Sequence, residues 1–190
     1  MEIKTERLIL TEFTMEMAAD VHRNSLDEDM RRFVPDEVFE TIEDARAVLK
    51  HLIAQYDSED GPYVYPVLLR GGANAGYVQL VKLGDGWEIG YHIAAKYTGH
   101  GYASEAVQAF LPVIAKLKGI SEIWGICLAD NAASEKVLEK SGFECVCTGT
   151  EPYQGEEREV RRFRWKNHNN TTVLDLTDAS GRDESEEAEK

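Results

Sequence analysis

Residues 87–108 constrain the fold of this chain most, because a strand-like run passes through two glycines into an amphipathic pattern. Trp87–Ile93 favours a strand, and the apolar residues after Tyr102 recur at helical spacing. Gly99 and Gly101 can adopt backbone conformations closed to other residues and let backbone N–H groups approach a ligand. The positive end of the helix dipole would face the same point, which favours a phosphate site. The glycines alone also allow a plain strand-to-helix turn.

Length and charge narrow the class of protein. The 190 residues suit one domain, and no apolar run approaches the roughly 18 residues of a membrane helix. The first residues lack a signal-peptide pattern, so we expect a cytoplasmic protein without membrane contact. The net charge of -14 argues against nucleic acid as a partner, because phosphate binding needs clustered Lys and Arg. Residues 1–166 carry -9 of this charge, which favours a cationic substrate.

The periodicity of apolar residues predicts an ordered series of elements. The first half contains a strand in 3–13, a helix in 14–26, a loop with apolar anchors in 27–40, a helix in 41–56 that Thr41 caps, and three meander strands in 63–69, 75–83 and 87–93. A helix then runs from the glycine loop to about 118, and Pro112 bends or shortens it. A strand in 123–128, a helix in 131–141 and a hairpin of 143–148 and 157–165 follow. We expect one domain in 1–166 and an acidic polar tail in 167–190, either disordered or docked as a short arm.

The three cysteines predict no metal site. Cys127, Cys145 and Cys147 lie in apolar strand-like runs, and they lack a second pair or a nearby His spacing. We expect buried, reduced thiols, with Cys145 and Cys147 on one face of a strand.

Two segments carry a resemblance to the GNAT superfamily of acyl-CoA dependent N-acetyltransferases. Lys96–Ala106, KYTGHGYASEA, resembles the family's pyrophosphate loop, with Lys96 in place of Gln or Arg. Asn131–Phe143, NAASEKVLEKSGF, is similar to the Asn-x-x-Ser and Glu-Lys-x-Gly-Phe signature of the branch of ribosomal-protein-alanine acetyltransferases. The order of the predicted elements agrees with the family.

The resemblance implies an α/β fold with a mixed, mostly antiparallel central sheet flanked by helices. Its central strands, one ending near Ile93 and the other at 123–128, would splay to admit the pantetheine arm of acetyl-CoA. The implied reaction is acetyl transfer from acetyl-CoA to a primary amine, a protein N-terminus or a small amine, by direct attack on the thioester. A non-catalytic acyl-CoA binding or sensing module on the same fold is the alternative. A Rossmann oxidoreductase is disfavoured, because its glycine pattern is absent after the first strand.

The resemblance also assigns binding residues. Those that would contact the cofactor are Ile93, Thr98, Gly99, His100, Gly101, Tyr102, Ala103, Asn131 and Ser134. Asn131 is equally suited to ordinary helix capping. Backbone N–H groups near His92 and Ile93 would polarise the thioester carbonyl. The oligomeric state stays open, and a homodimer is compatible with the sequence.

The catalytic candidates are Glu88 and Ser134. Glu88 matches the position of a general base that takes a proton from the amine, directly or through water, and its alternative role is a solvated strand carboxylate. Ser134 would contact CoA or protonate its sulfur. Two histidines, His92 and His100, are not expected to be catalysts. The tyrosine and tryptophan side chains near the glycine loop, Tyr91 among them, are interpreted as core and pocket wall.

Overall fold

An eight-stranded sheet forms the centre of the described residues, which are 1–84, 86–153 and 155–167 of a computed structural model. The strands are β1 Ile3–Lys4, β2 Leu8–Leu10, β3 Tyr63–Leu69, β4 Asn74–Leu83, β5 Gly86–Ile93, β6 Glu122–Leu128, β7 Glu144–Tyr153 and β8 Glu156–Lys166. The helices are α1 Ala18–Ser25, α2 Glu28–Phe33, α3 Ile42–Gln55, α4 Tyr102–Lys118 and α5 Ala132–Lys140, with 3₁₀ turns at Met15–Met17, Pro35–Glu37 and Ala95–Tyr97. The predicted α/β class is confirmed.

The strand order is β1-β2-β3-β4-β5-β6-β8-β7, and every neighbouring pair is antiparallel except β5 and β6. Those two parallel strands share one residue pair, Glu88 opposite Trp124. β5 is paired with β4 over its whole length, and β6 is paired with β8 over its whole length. Beyond Glu88 the two central strands therefore separate, as the resemblance implies.

Helices cover both faces of the sheet. On one face, α4 buries Phe110, Leu111 and Ile114 against the strands, and α5 adds Leu138 to the same cluster. On the other face, α3 and the segment around α1 form a smaller cluster that includes Leu49. Each sheet face is thereby shielded by an amphipathic helix stripe, the usual arrangement of an α/β layer fold.

Local signals explain where the longer helices begin and end. Thr41 Oγ1 accepts from the N–H of Asp44 at 3.1 Å, and Asp44 accepts from the N–H of Thr41 at 3.0 Å, so the predicted cap of α3 is a full capping box. Helix α4 reaches Lys118 as predicted and continues through Pro112 without being shortened.

Two predictions about the N-terminal third are wrong. The single strand expected in 3–13 is two strands, β1 and β2, because Thr5 closes a turn by exchanging hydrogen bonds with the backbone of Leu8. The segment expected as a loop in 27–40 contains α2, whose first turn is capped by Asp27 accepting from the N–H of Met30 at 2.9 Å. Met30 is buried, and this tertiary contact stabilises a helix too short to show periodicity.

The cysteine prediction is correct only in part. Cys127 is buried, whereas Cys145 and Cys147 are exposed. They lie on β7, the strand at one edge of the sheet. A bulge at Val146 places Cys145 opposite Phe163 and Cys147 opposite Arg162, so the two thiols do not share a face.

The predicted tail falls almost entirely outside the described residues. Asn167 is described, and its N–H donates to the carbonyl oxygen of Ser121 at 2.8 Å. Residues 168–190 are not. Within the described ranges, no helix has the length and apolar character needed to cross a membrane.

Burial on α4 generates a stability prediction. Phe110 is 0% exposed, so Phe110→Ala should lower the free energy of unfolding by about 3–5 kcal/mol through lost burial and a residual cavity. Leu117 on the same helix is 60% exposed, and Leu117→Ala should change it by less than about 0.5 kcal/mol. Urea unfolding of both variants measures the difference, and equal losses would contradict the assigned orientation of α4.

Candidate active site

A cavity of about 140 Å³ opens where β5 and β6 separate. Side chains alternate along a strand, so Glu88 and Gly90 face one side of the sheet, and Ile89 and Tyr91 face the other. Residues of both sets line this cavity, as do Ile126 and its neighbour Cys127 from β6. The gap therefore connects the two faces of the sheet.

Glu88 lies at the edge of this gap, in the one residue pair that β5 and β6 share. Burial raises the pKa of its carboxyl group from 4.5 to about 7, against a lowering effect of the Arg162 guanidinium and with a further raising effect of Glu151. Arg162 is ion-paired with Glu151, its Nε lying 2.8 Å from Oε1. This pairing balances the positive charge nearest to Glu88, so burial dominates the pKa. Glu88 is thus a half-buried carboxyl group with a raised pKa.

The cavity wall around Glu88 also contains polar side chains that belong to neither sequence motif. Tyr77 and Gln79 line the cavity from β4, and both donate hydrogen bonds to Glu37, the Gln79 Nε2 bond being 3.1 Å. Burial raises the pKa of the Glu37 carboxyl group. Tyr153, the last residue of β7, lines the same cavity. Carboxylate and phenol groups thus concentrate on the Glu88 side of the gap.

Ser134 and Tyr91 meet on the opposite side. The Tyr91 hydroxyl donates to the backbone oxygen of Ser134 at 3.0 Å and lies 2.9 Å from Ser134 Oγ. Asn131 Oδ1 accepts from the N–H of Ser134 at 3.0 Å, so Asn131 caps α5. Tyr91 was interpreted only as a pocket wall, because its partner is 43 residues away in the sequence. Burial raises its pKa.

The glycine loop leads into α4 without a side-chain cap. Gly99 and Gly101 have φ values of 78° and 79°, in the left-handed region that favours glycine. A Cβ atom on Gly99 would meet no atom within 4 Å, so that side of the loop is open. Gly101 occupies the N-cap position, and no side chain there accepts from the first backbone N–H groups. Open glycine backbone beside a helix N-terminus fits a pyrophosphate.

The remaining predicted binding residues lie along this loop. Ile93 is the last residue of β5, and Ala103 lies in the first turn of α4. Between them, Thr98 Oγ1 donates to the carbonyl oxygen of Ala95 at 2.9 Å. The rings of His100 and Tyr102 are stacked, with their centroids 5.5 Å apart. The structure therefore gathers them at one end of the gap, whereas Glu88 lies at the other end of β5.

Arg7 and Glu105 stabilise the glycine loop through hydrogen bonds. The sequence alone did not predict this role. Arg7 Nη1 donates to the oxygen of His100 at 2.8 Å, and its Nε donates to Glu105 Oε2 at 2.6 Å. Thr5 Oγ1 donates to Glu105 Oε1 at 2.5 Å. The turn between β1 and β2 thus holds the loop and the first turn of α4 together.

His92 is placed against Asp27 and outside the lining of the gap. Its Nε2 lies 3.3 Å from Asp27 Oδ2, the oxygen that also accepts from the N–H of Ala95 at 3.0 Å. Burial lowers the pKa of His92, against the raising effect of Asp27. Asp27 therefore ties the start of α2 to the end of β5. Among the described residues, no group of three or more His, Cys, Asp and Glu side chains could hold a metal ion.

Comparison with known proteins identifies the family. Residues 7–144 match the model of the acetyltransferase (GNAT) domain. The chain belongs to the GNAT family. It is 30% identical over 161 residues to the uncharacterized N-acetyltransferase YnaD of Bacillus subtilis, covering 80% of this chain and 91% of that protein. A second Bacillus subtilis relative, the uncharacterized N-acetyltransferase YoaA, is 26% identical over 152 residues, covering 75% and 82%.

Solved structures share this GNAT fold. A GNAT-family acetyltransferase from Bacillus anthracis matches with a TM-score of 0.76 and 29% identity, over 87% of this chain and 98% of that one. RimL, a ribosomal L7/L12 alpha-N-protein acetyltransferase in complex with coenzyme A, matches with a TM-score of 0.77 at 18% identity, over 87% and 98%. GNAT acetyltransferases use acetyl-CoA, so the predicted enzyme class and cosubstrate are confirmed.

The pKa of Glu88 generates a prediction about stability. In the unfolded chain this carboxyl group loses its proton near pH 4.5, whereas in the folded chain it does so near pH 7, so ionisation costs folding free energy as pH rises between these values. Glu88→Gln removes that cost. Relative to the parent chain, the variant should be more stable at pH 8 than at pH 4.5 in urea unfolding. An exposed control, Glu144→Gln, should show no such difference, and a pH-independent effect of Glu88→Gln would contradict the raised pKa.

Proposed function

We propose that this acetyltransferase modifies a primary amine, a peptide N-terminus or a small amine, by direct attack on the thioester. The observation that carries the proposal is the gap between β5 and β6, which has Glu88 on one side and Ser134 with Tyr91 on the other. We place the chain in the branch of ribosomal-protein-alanine acetyltransferases, which the Asn131–Phe143 motif supports. The RimL structure, at low identity, supports only the shared fold.

In this proposal the pyrophosphate is bound over residues 98–103, and the pantetheine arm lies in the gap between Ile93 and Asn131. The backbone N–H groups of the loop and the dipole of α4 bind the anion. Beyond Glu88, the backbone groups of β5 that face β6 are outside the ladder and are free to pair with amide groups of the arm. When bound, acetyl-CoA supplies an activated acetyl group at this gap.

Glu88 is proposed as the base that accepts the proton of the amine. An α-amine has a pKa of about 8, so at neutral pH most of it is ammonium and must lose a proton before it can react. A carboxyl group with a pKa of about 7 is well matched to that transfer, and it is half ionised near neutral pH. The acidic side chains around Glu88 also favour approach of a cation.

Ser134 is proposed as the group that donates a proton on the leaving side, with Tyr91 as its partner. The two hydroxyl oxygens lie 2.9 Å apart, so Tyr91 orients the Ser134 hydroxyl, and solvent water restores the proton that Ser134 gives up. A strong acid is not needed, because a thiol with a pKa of about 8.5 gives a good leaving group.

Cys127 supports direct attack over a covalent enzyme intermediate. It lines the cavity near Ser134, yet burial raises the pKa of its thiol to about 11. The thiolate is the nucleophilic form of cysteine, and little of it exists at neutral pH with such a pKa. No observation favours the non-catalytic alternative, because a binding module does not require a partly buried carboxyl group at the gap. Release of free thiol from acetyl-CoA with a panel of amines and N-terminal peptides tests the proposal.

Binding of CoA by the glycine loop can be tested with matched glycine variants. Gly99 and Gly72 have φ values of 78° and 87°, and a Cβ on either would meet nothing within 4 Å. Gly99→Val and Gly72→Val should each lose about 1–3 kcal/mol of stability through backbone strain. Only Gly99→Val should weaken CoA binding, by at least about tenfold in calorimetry, because bulk on the loop blocks the phosphates. Equal CoA affinity in the two folded variants would refute the loop assignment.

The role of Glu88 can be tested by its pH profile. Glu88→Gln keeps the shape and removes the base, so kcat should fall about 10- to 1000-fold. The parent kcat should rise with pH through about 7 as Glu88 ionises, and this inflection should be absent in the variant. CoA affinity should be nearly unchanged. Parent-like turnover of Glu88→Gln from pH 6 to 9 would exclude Glu88 as the base.

A further inference from the structure

A second cavity, of about 160 Å³, adjoins the first at Glu88. Its lining consists of Leu83, Gly86, Trp87, Glu88, Trp124, Ile126 and Arg162. Glu88 and Ile126 line both cavities, so the two spaces meet beside the carboxyl group that the proposed function uses. No step described so far involves this second space.

The sheet is closed beneath the second cavity. Glu88 and Trp124 form the one residue pair that joins β5 to β6, and paired residues project their side chains to the same face. The opening toward Ser134 and the glycine loop lies only beyond this pair. A group in the second cavity therefore reaches Glu88 only from the sheet face on which Glu88 and Trp124 project.

The walls of this cavity are mainly apolar, and their side-chain donors are the Arg162 guanidinium and the indole N–H groups of Trp87 and Trp124. Trp124 and Ile126 form its sheet side, and Leu83 at its rim is 58% exposed. Arg162 donates to Glu151 through Nε and Nη2, whereas no partner of its Nη1 exists among the described residues. A group with an apolar body and a nearby oxygen acceptor matches these walls.

We propose that this second cavity binds the first residue of a peptide acceptor, with its apolar side chain against Trp124 and its carbonyl oxygen accepting from Arg162, while its α-amine meets Glu88. The inference rests on the proposed function and names its substrate class, N-terminal α-amines that carry a bulky apolar first side chain, which is larger than the alanine in the name of the proposed branch. A buried cavity of about 150 Å³ is large enough to hold benzene, so a Leu or Phe side chain suits the size.

Gly86 offers a direct way to fill the cavity. A Cβ on Gly86 would lie 3.5 Å from Cδ1 of Trp124, an ordinary contact, and its backbone is outside the left-handed region. A larger side chain at this position projects toward Trp124 without forcing the strand to move. Gly71, in the turn between β3 and β4, is a matched control, because a Cβ there would meet nothing within 4 Å.

The experiment compares kcat/KM for two peptides that differ only in a first residue of Phe or Gly. The parent chain should prefer the Phe peptide. Gly86→Leu should lower the ratio of Phe to Gly by at least about tenfold, because a filled pocket rejects the larger group. Gly71→Leu should leave the ratio at the parent value. Trp124→Ala, which removes the apolar wall, should lower the same ratio. This variant provides the test if Gly86→Leu does not fold.

The outcomes separate this inference from the proposed function. If the parent chain acetylates small amines but neither peptide, or if Gly86→Leu and Trp124→Ala keep the parent ratio, the second cavity is not the acceptor pocket and the proposed function stands. If the parent chain releases no thiol with any peptide or small amine, the proposed function fails and this inference fails with it.

Discussion

The single residue pair between β5 and β6 is the constraint on which the site depends. Each strand is fully paired on its outer edge, so neither can turn to extend the ladder they share. Helix α5 lies over the opening, and a Cβ on Gly125 would come within 2.6 Å of Leu138 Cδ2, so a larger residue at this position would displace the Leu138 side chain. The gap is thereby built into the sheet, with Glu88 at its closed end.

Electrostatics at this closed end depend on a competition between burial and charge. A carboxylate beside an unpaired guanidinium would have a lowered pKa, which would make it a weak base. Here Arg162 is held by Glu151, and burial instead raises the pKa of Glu88 to about 7. Arg162 also lines the second cavity. One ion pair between β7 and β8 thus affects both the proposed base and the neighbouring pocket.

Local chemistry made part of this structure predictable from the sequence. The capping box at Thr41, the glycine loop and the cap at Asn131 depend on residues three or fewer positions apart, and all lie where predicted. Long-range contacts explain the failures. Helix α2 depends on the burial of Met30, and the exposure of Cys145 depends on the edge position of β7. Tyr91 was missed as a partner of Ser134 for the same reason, because α5 must fold back over β5 to bring them together.

In the proposed reaction, the two substrates occupy different parts of the gap, the acceptor at its closed end and acetyl-CoA at its open end. The acceptor reaches Glu88 from one face, and the loop at residues 98–103 and Ser134 lie toward the other face. Cys127 lines the passage, and burial raises the pKa of its thiol to about 11, which disfavours a covalent acetyl-enzyme intermediate in the proposed reaction. Both substrates must then occupy the gap together, and the amine must lose its proton while it is already beside the thioester. In this reaction the proposed base lies at the junction of the passage and the proposed acceptor pocket, where it can meet the attacking amine.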